Sequence, residues 1–393
     1  MSLSSLSAQP EDPLLHIIAQ YSADSRPDKI DLGVGAFRDP HGRTPVMAAV
    51  REAELRLWKT QETKAYVGPA GDRHFVSLLG EEALGDASLL ARGCGVQTPG
   101  GTGALRLAAE VLTAAGVKRL WAASPTWANH PPVFAAAGIE CRLVRAFDLA
   151  EGRYEAEHFL SALNDAEPGD AVLLHGCGHN PTGLDPDAAQ WAVLAGLLAE
   201  RGLVPLVDMA YQGLGDGFAE DAAGALSVLR RAPYALLAYS CDKNFGLYRE
   251  RTGALWAFAP DASGTRILES NMLAKARVNW SMPPDHGAAV VRLILEDPVL
   301  KRCWREELDG MRQRLTGLRA ALARGGRIGS VDCSVLDRGR GLFATLPMSP
   351  DDIRRLREDH AIYMAGSGRL NIAGFTDKRS VATFLSALRE VLA

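Results

Sequence analysis

The chain has 393 residues, of which 47% are hydrophobic and 23% are charged, with a formal net charge of -4. This composition excludes a disordered polypeptide, and no apolar run approaches the ~18 residues that a membrane span requires. The acidic total offers no basic face for nucleic acid, so we expect neither nucleic acid nor a membrane as a partner.

The length of the chain predicts a large domain and a smaller one. We place an N-terminal arm at residues 1–12, the small domain at residues 13–43 and 311–393, and the large domain at residues 44–310. The first 20 residues lack a cationic segment before a continuous apolar core, so we expect no signal peptide and a cytoplasmic protein.

Apolar strand-like runs alternate with helical patterns between residues 95 and 260, which predicts βαβ units around a mostly parallel sheet. The predicted strands are 119–124, 140–146, 171–176, 203–210, 234–240 and 253–259. One helix among them is predicted to have Asp185 as its N-cap and to end before Gly202. Its expected buried face comprises Trp191, Val193, Leu194, Leu197 and Leu198.

The pattern changes after about residue 300. Residues 303–326 have the apolar spacing of one long amphipathic helix that ends at a pair of glycines. Short strands follow, and residues 378–393 predict a last helix. These elements predict the smaller α+β domain.

Five polar segments follow predicted strands and glycine-rich turns. Ligands bind at the carboxyl ends of strands in an open parallel sheet, so we expect these segments to converge on one crevice. They are TPGGTG (98–103), PTWANH (125–130), HGCGHNPTG (175–183), DMAYQG (208–213) and SCDKNFGLYRER (240–251).

The first and last of these segments have features of an anion site. Gly101 and Thr102 stand where a helix begins, and exposed amides at a helix start favour an anion. A dinucleotide fingerprint is excluded, because Arg106 occupies the position of its third glycine. Arg251 and Ser240 lie on either side of Lys243 and suit a phosphate, although Arg251 could instead pair with Glu250 on a solvated loop.

Asp208 and Lys243 complete the prediction of a cofactor. Asp208 follows an apolar strand, where a carboxylate needs a cationic partner such as a pyridine nitrogen, or else caps the next helix. A desolvated lysine amine can lose its proton and condense with an aldehyde, which guanidinium cannot. An aldehyde, a phosphate and a pyridine ring together indicate pyridoxal 5'-phosphate.

A metal site is the alternative for His175, Cys177 and His179, which alternate in HGCGH and would share one face of a strand. No fourth ligand accompanies them, so we interpret the segment as a strand end that leads into a turn, and we predict no metal. The six cysteines form no CxxC pair, which predicts reduced thiols.

The motifs HGCGHNPTG, DMAYQG and SCDKNFGLYRERTG resemble the class I aminotransferases, specifically the aspartate and aromatic amino-acid subgroup. The resemblance extends to LGVGAFRD near the start of the chain and SGRLNIAG near its end. It implies the fold-type I architecture of pyridoxal-phosphate transferases and a homodimer with shared active sites. It also implies amino transfer from aspartate, tyrosine or phenylalanine to 2-oxoglutarate by a ping-pong mechanism.

The resemblance also implies roles for individual residues. Lys243 is similar to the lysine that forms a Schiff base and later moves the proton, and Asp208 to the partner of the ring nitrogen, with His130 behind it. Asn180 and Tyr211 resemble the donors to the phenolic oxygen of the ring, and Trp127 resembles the aromatic residue stacked on it. The implied phosphate site consists of Gly101, Thr102, Ser240 and Arg251, with Tyr66 from the neighbouring subunit.

The implied substrate site has two arginines. Arg369 resembles the arginine that binds the α-carboxylate, together with Gly35, Asn180 and Trp127. Arg277 resembles the arginine that reaches across the dimer to a second carboxylate. Guanidinium geometry suits such bidentate contacts, so the pair implies dicarboxylic substrates.

Four positions depart from the family pattern. Asp242 replaces the usual serine before the lysine, and alternation along the strand predicts that its side chain points away from the cofactor. Thr252 replaces a valine, and Trp280 and Met282 replace a tyrosine and an asparagine beside Arg277. The larger, apolar rim could admit aromatic side chains.

Three alternative functions stay open at the level of sequence. The same cofactor could support a lyase or a decarboxylase. A parallel sheet could also belong to a nicotinamide-dependent oxidoreductase, against which the failed glycine fingerprint counts. The third alternative is a catalytically silent binding protein that keeps the fold.

Overall fold

The computed structural model describes residues 3–8 and 13–393, so residues 1–2 and 9–12 of the predicted N-terminal arm lie outside it. The α-helices of the described residues are α1 Pro13–Ala23, α2 Ala48–Thr60, α3 Arg73–Leu84, α4 Ala87–Leu90, α5 Gly100–Ala114, α6 His130–Ala135, α7 Ala156–Ala162, α8 Ala188–Glu200, α9 Ala223–Arg231, α10 Ala262–Asn279, α11 His286–Glu296, α12 Pro298–Ala323, α13 Pro350–His360 and α14 Lys378–Val391.

The strands of the described residues are β1 Ile30–Asp31, β2 Gly93–Pro99, β3 Arg119–Ser124, β4 Glu140–Arg145, β5 Phe147–Asp148, β6 Arg153–Tyr154, β7 Ala171–His175, β8 Val204–Met209, β9 Ala235–Ser240, β10 Thr252–Phe258, β11 Arg327–Ile328, β12 Val331–Asp332, β13 Phe343–Thr345, β14 Ile362–Tyr363 and β15 Arg369–Asn371.

Seven strands form a central sheet in the order β2-β10-β9-β8-β7-β3-β4. Neighbouring strands are parallel, except that β10 runs antiparallel to both β2 and β9. The predicted α/β fold with a mostly parallel sheet is confirmed. The six predicted strands are β3, β4, β7, β8, β9 and β10, and the prediction missed β2.

Both faces of the sheet are covered at its central strands, which explains their nearly continuous apolar sequences. Every residue of β9 and β10 is buried. Along β8 and β9, side chains alternate between two cores, with Leu206 and Leu236 facing α5. Val207 and Leu237 belong to the other core, which also contains residues of α3 and α11.

Helix α8 corrects the predicted N-cap. The helix begins at Ala188, and Asp187 caps it by accepting a hydrogen bond from the backbone N–H of Gln190, whose side chain completes a capping box. Asp185 does not cap the helix, because its carboxylate accepts hydrogen bonds from the backbone N–H groups of Gly178 and His179 at 2.7 and 2.9 Å. Val193, predicted to be buried, is 57% exposed.

The C-terminal elements follow the predicted pattern. Helix α12 has 26 residues and buries a stripe that includes Trp304, Leu308 and Leu315. Strand β1, near the start of the chain, pairs in parallel with β14, near its end. This pairing supports our proposal that residues 13–43 and 311–393 form one smaller domain.

Among the described residues, we find no helix with the length and apolar composition needed to cross a bilayer.

Candidate active site

A cavity of about 230 Å³ lies at the carboxyl ends of the central strands, where the five polar segments meet. It is lined by Gly35, Gly101, Thr102, Leu105, Trp127, His175, Asn180, Asp208, Ala210, Tyr211, Ser240, Asp242, Lys243, Phe343 and Arg369. The structure therefore brings together most of the residues that the sequence analysis selected.

Lys243 lies in the turn that follows β9, and this turn is fixed by its neighbours. The side chain of the buried Asn244 donates to the hydroxyl of Tyr239 at 2.8 Å, and its carbonyl accepts from the indole of Trp304 at 2.7 Å. The Lys243 amine lies 5.3 Å from the centre of the Tyr211 ring. Burial lowers the pKa of Lys243, although the carboxylates of Asp242 and Asp208 partly oppose the shift. The site thus shifts the amine toward its neutral form.

Asp208 lies inside β8 and is held by a chain of buried hydrogen bonds. Its Oδ2 is 3.1 Å from Nε2 of His130, whose Nδ1 is 2.8 Å from the hydroxyl of Thr126. Burial alone would raise the pKa of Asp208, but the hydrogen bond and the charge of His130 lower it overall. The carboxylate therefore stays ionised at neutral pH, and the alternative that it caps a helix is wrong.

His175 lies at the end of β7 beside Asp208 and faces the cavity. Burial lowers the pKa of His175 to about 3, so its ring is neutral. Ligand atoms of His130, His175 and Asp208 lie within 4.8 Å of one another, a spacing that could hold a metal ion. Cys177 is not part of this group, so the metal alternative of three alternating side chains in HGCGH gains no support.

The N-terminus of α5 forms one end of the cavity. Pro99 precedes the helix and offers no side-chain cap, so the first amides of the helix are free of such a partner. Gly100 has a φ of +68°, and a Cβ atom there would lie 2.6 Å from Nη2 of Arg251. The glycine thus lets the Arg251 guanidinium approach the start of the helix.

Arg251 and Asp242 form an ion pair that the sequence analysis did not predict. Nη1 of Arg251 donates to Oδ2 of Asp242 at 2.6 Å, whereas Glu250 lies 2.9 Å from His286. The alternative that Arg251 pairs with Glu250 is therefore wrong. The outward orientation predicted for Asp242 is also wrong, because β9 ends at Ser240 and strand alternation does not extend into the following turn.

Arg369 and Asn180 form the opposite end of the cavity. Nη2 of Arg369 donates to the carbonyl of Gly33 at 2.9 Å, and Nη1 lies 3.5 Å from Oδ1 of Asn180. The buried Nε of Arg369 has no hydrogen-bond partner among the described residues. The amide of Asn180 also donates to the hydroxyl of Tyr211 at 3.4 Å. A fixed cation with an unused donor is suited to a carboxylate.

Three predicted site residues, Arg251, Tyr66 and Arg277, do not line this cavity. Tyr66 is 92% exposed, and the exposed Arg277 donates to the hydroxyl of Ser281. Met282, next to that serine, accepts a hydrogen bond from the backbone N–H of Val67 at 3.2 Å. The segments that carry Tyr66 and Arg277 therefore meet on one surface of the chain.

Residues 27–387 match the model of the family described as aminotransferase class I and II. The chain belongs to this family. It is 49% identical to a tyrosine aminotransferase of Rhizobium meliloti over 369 residues, which cover 94% of this chain and 95% of that protein. It is 40% identical to an aspartate aminotransferase of Escherichia coli over 377 residues, with coverages of 94% and 95%.

The solved structure of an aromatic-amino-acid aminotransferase from Burkholderia pseudomallei, covalently bound to pyridoxal phosphate, has a TM-score of 0.95 to this chain. The two chains are 34% identical, and the alignment covers 100% of each. The predicted family, fold class and enzyme class of a pyridoxal-phosphate-dependent aminotransferase are confirmed.

The sequence analysis missed one aromatic side chain of this aminotransferase site. Phe343 of β13 lines the cavity, and the Arg369 guanidinium lies 4.6 Å from the centre of its ring. A Cβ atom on Gly35 would lie 3.0 Å from Cζ of Phe343, so the glycine makes room for the ring. Strand β13 pairs with β15, which carries Arg369. That pairing joins distant parts of the sequence and leaves no local signal.

Proposed function

We propose that this aminotransferase transfers amino groups from aspartate and aromatic amino acids, tyrosine and phenylalanine, to 2-oxoglutarate by a ping-pong mechanism with pyridoxal 5'-phosphate. One observation carries the proposal: the amine of Lys243, which burial shifts toward its neutral form, shares a cavity with the ionised Asp208 and the guanidinium of Arg369.

The residues around the cavity fit this cofactor. Asp208 would hold the protonated ring nitrogen, Asn180 and Tyr211 would donate to the phenolic oxygen, and Trp127 would cover the ring. The glycine-lined start of α5 leaves space for a phosphate that Gly101, Thr102, Ser240 and Arg251 would bind. When bound, the cofactor supplies an aldehyde for the amino group and an electron-withdrawing ring.

Lys243 would act as the base of the reaction. A lysine whose pKa is lowered by burial holds less of its amine in the protonated form and can accept a proton from Cα of the substrate. Asp208 would keep a positive charge on the ring nitrogen, because the His130 hydrogen bond favours the ionised carboxylate. Asp208 lies on β8, and Lys243 follows the neighbouring strand β9. Their environments favour the ionised carboxylate and shift the amine toward its neutral form.

Arg369 would bind the α-carboxylate of each substrate, beside Gly35 and Asn180. Its carbonyl partner and the Phe343 ring hold the guanidinium in place before substrate arrives. The second carboxylate of aspartate or 2-oxoglutarate would meet Arg277 of a neighbouring copy of the chain. We therefore propose a homodimer, in which Tyr66 also reaches the phosphate of the other site; the exposure of both residues supports this.

The proposal of aromatic amino donors is supported by apolar side chains at the rim of the site. Trp280 directly follows α10, the helix that contains Arg277, and is partly buried against the core. Met282 accepts a hydrogen bond from the backbone N–H of Val67, the residue after Tyr66. These side chains offer apolar surface where the family usually has more polar residues. A phenyl ring could therefore gain burial without needing the second arginine.

Product analysis tests the proposed function. The protein with pyridoxal phosphate and 2-oxoglutarate should form glutamate from aspartate, tyrosine and phenylalanine, and Lys243→Ala should form none while keeping its circular dichroism spectrum. Release of ammonia or carbon dioxide without glutamate would instead assign a lyase or a decarboxylase.

A further inference from the structure

Asp242 places a carboxylate at the end of the cavity that is suited to a phosphate. The side chain is 5% exposed, and its Oδ2 accepts from Arg251 at 2.6 Å. Its Oδ1 is buried without a hydrogen-bond partner among the described residues. Arg251 is the one cation that contacts the Asp242 carboxylate in the described part of the chain, so the charge of this arginine is already partly neutralised.

The backbone of Asp242 also engages the phosphate site. Its N–H donates to the hydroxyl oxygen of Ser240 at 3.2 Å. A phosphate ester carries a charge of about -1.5 to -2 near neutral pH. In a cavity with little water, a fixed carboxylate repels this charge and competes for the same guanidinium. A serine at this position would remove the repulsion and add a donor.

We propose that Asp242 lowers the affinity of this enzyme for the phosphate of its cofactor by competing for Arg251. The proposal rests on the proposed function above. Its consequence is a cofactor that exchanges readily, above all in the amine form, which has no covalent bond to Lys243. The activity of the enzyme would then follow the concentration of free cofactor.

Two ligands that cannot bond covalently to Lys243 isolate this effect. Pyridoxamine 5'-phosphate carries the phosphate and pyridoxamine lacks it, and calorimetry with the apoprotein gives a dissociation constant for each. Asp242→Asn removes the charge at nearly constant size, and Asp242→Ser restores the residue usual in the family. Asp242→Glu keeps the charge. Glu250→Gln is the matched control, because it removes a negative charge from the same loop outside the cavity.

We expect Asp242→Asn and Asp242→Ser to bind pyridoxamine 5'-phosphate at least about tenfold more tightly than the native protein, which corresponds to ~1.4 kcal/mol. Their affinity for pyridoxamine should stay within about twofold, and Asp242→Glu and Glu250→Gln should bind both ligands like the native protein. Inorganic phosphate should follow the pattern of the phosphorylated ligand.

Equal affinities of the native protein and Asp242→Asn for pyridoxamine 5'-phosphate would overturn the proposal. Equal tightening for both ligands would also overturn it, since that result indicates a general change of the cavity. If no variant binds either ligand, the proposed function itself fails, and this proposal fails with it. Two uncharged variants keep the test decisive if one of them does not fold.

Discussion

Asp208 and Lys243 lie close together in the fold, but their pKa values respond differently to burial. Asp208 lies in β8, paired with Ala238 of β9, and Lys243 follows the end of β9. Burial penalises both charges, but only Asp208 has a hydrogen-bonded histidine that restores its ionised form. Burial prevails at Lys243, whose amine shifts toward the neutral state. The ionisation of the two residues therefore depends on the partners of each side chain and not on burial alone.

Arg277 should discriminate between substrates. Arg277→Ala is expected to lower kcat/KM for aspartate by about 100-fold or more, because a charge-assisted bidentate contact is lost, and to change tyrosine turnover by less than about threefold. Arg266→Ala, at another exposed arginine of α10, is the control and should affect neither donor. Steady-state assays with both donors measure the ratio. Equal losses for aspartate and tyrosine would contradict the proposed contact.

His175 should make the apoprotein sensitive to acid. Its pKa is about 3 in the folded chain and 6.5 as an unperturbed group. The unfolded chain therefore binds a proton between these values that the folded chain does not, so stability falls as the pH decreases from about 6.5 toward 3. His175→Gln should reduce this slope by up to ~1.4 kcal/mol per pH unit. Urea unfolding at pH 7, 6 and 5 measures the difference, and parallel slopes would contradict it.

At the scale of elements, the sequence predicted those helices and strands that have a local pattern of apolar residues. Six strands of the sheet were predicted, and all of them except β4 carry an apolar run. Strand β2 was missed because Gly93 and Gly95 weaken its strand pattern. Cβ atoms at these glycines would lie 2.7 and 2.6 Å from the rings of Phe258 and Trp256 in β10, so the glycines reflect packing across the sheet. Likewise, the inward orientation of Asp242 depends on the end of β9 at Ser240. The residue pattern of the strand does not define where that end lies.

The junction of β2 and α5 should depend on Gly100. Gly100→Ala places a methyl group against Arg251 at a φ of +68°, so we expect a stability loss of about 1 to 2 kcal/mol and at least about tenfold weaker binding of pyridoxamine 5'-phosphate. Gly116→Ala is matched, because Gly116 has a φ of +89° but open space around it. It should lose stability without losing affinity, as thermal melts and calorimetry would show. Unchanged affinity in Gly100→Ala would contradict the proposed phosphate site at the start of α5.

At the scale of the whole molecule, the cavity of one chain contains Asp208, Lys243 and Arg369, the residues proposed as acid, base and binder of the α-carboxylate. The segments of Tyr66 and Arg277 lie outside it and meet through the contact of Met282 with Val67. Sequence pattern alone could not place these two residues in space, because their role is proposed to arise between copies of the chain. The resemblance to a family supplied that prediction.

Hybrid dimers test the shared site. Lys243→Ala and Arg277→Ala proteins should each be deficient with aspartate, but a hybrid has one site with both native side chains. After mixing and subunit exchange, we expect roughly a quarter of native aspartate activity, since half of the dimers are hybrids with one intact site each. Activity no higher than the sum of the separate variants would show that Arg277 acts within its own chain or not at all.

The central claim concerns the covalent attachment of the cofactor to Lys243. Borohydride reduction of the protein loaded with pyridoxal 5'-phosphate, followed by proteolysis and mass spectrometry, locates that attachment directly. We predict one phosphopyridoxyl group per chain on the peptide that contains Lys243. A label on a different lysine, or none on that peptide, would contradict the account.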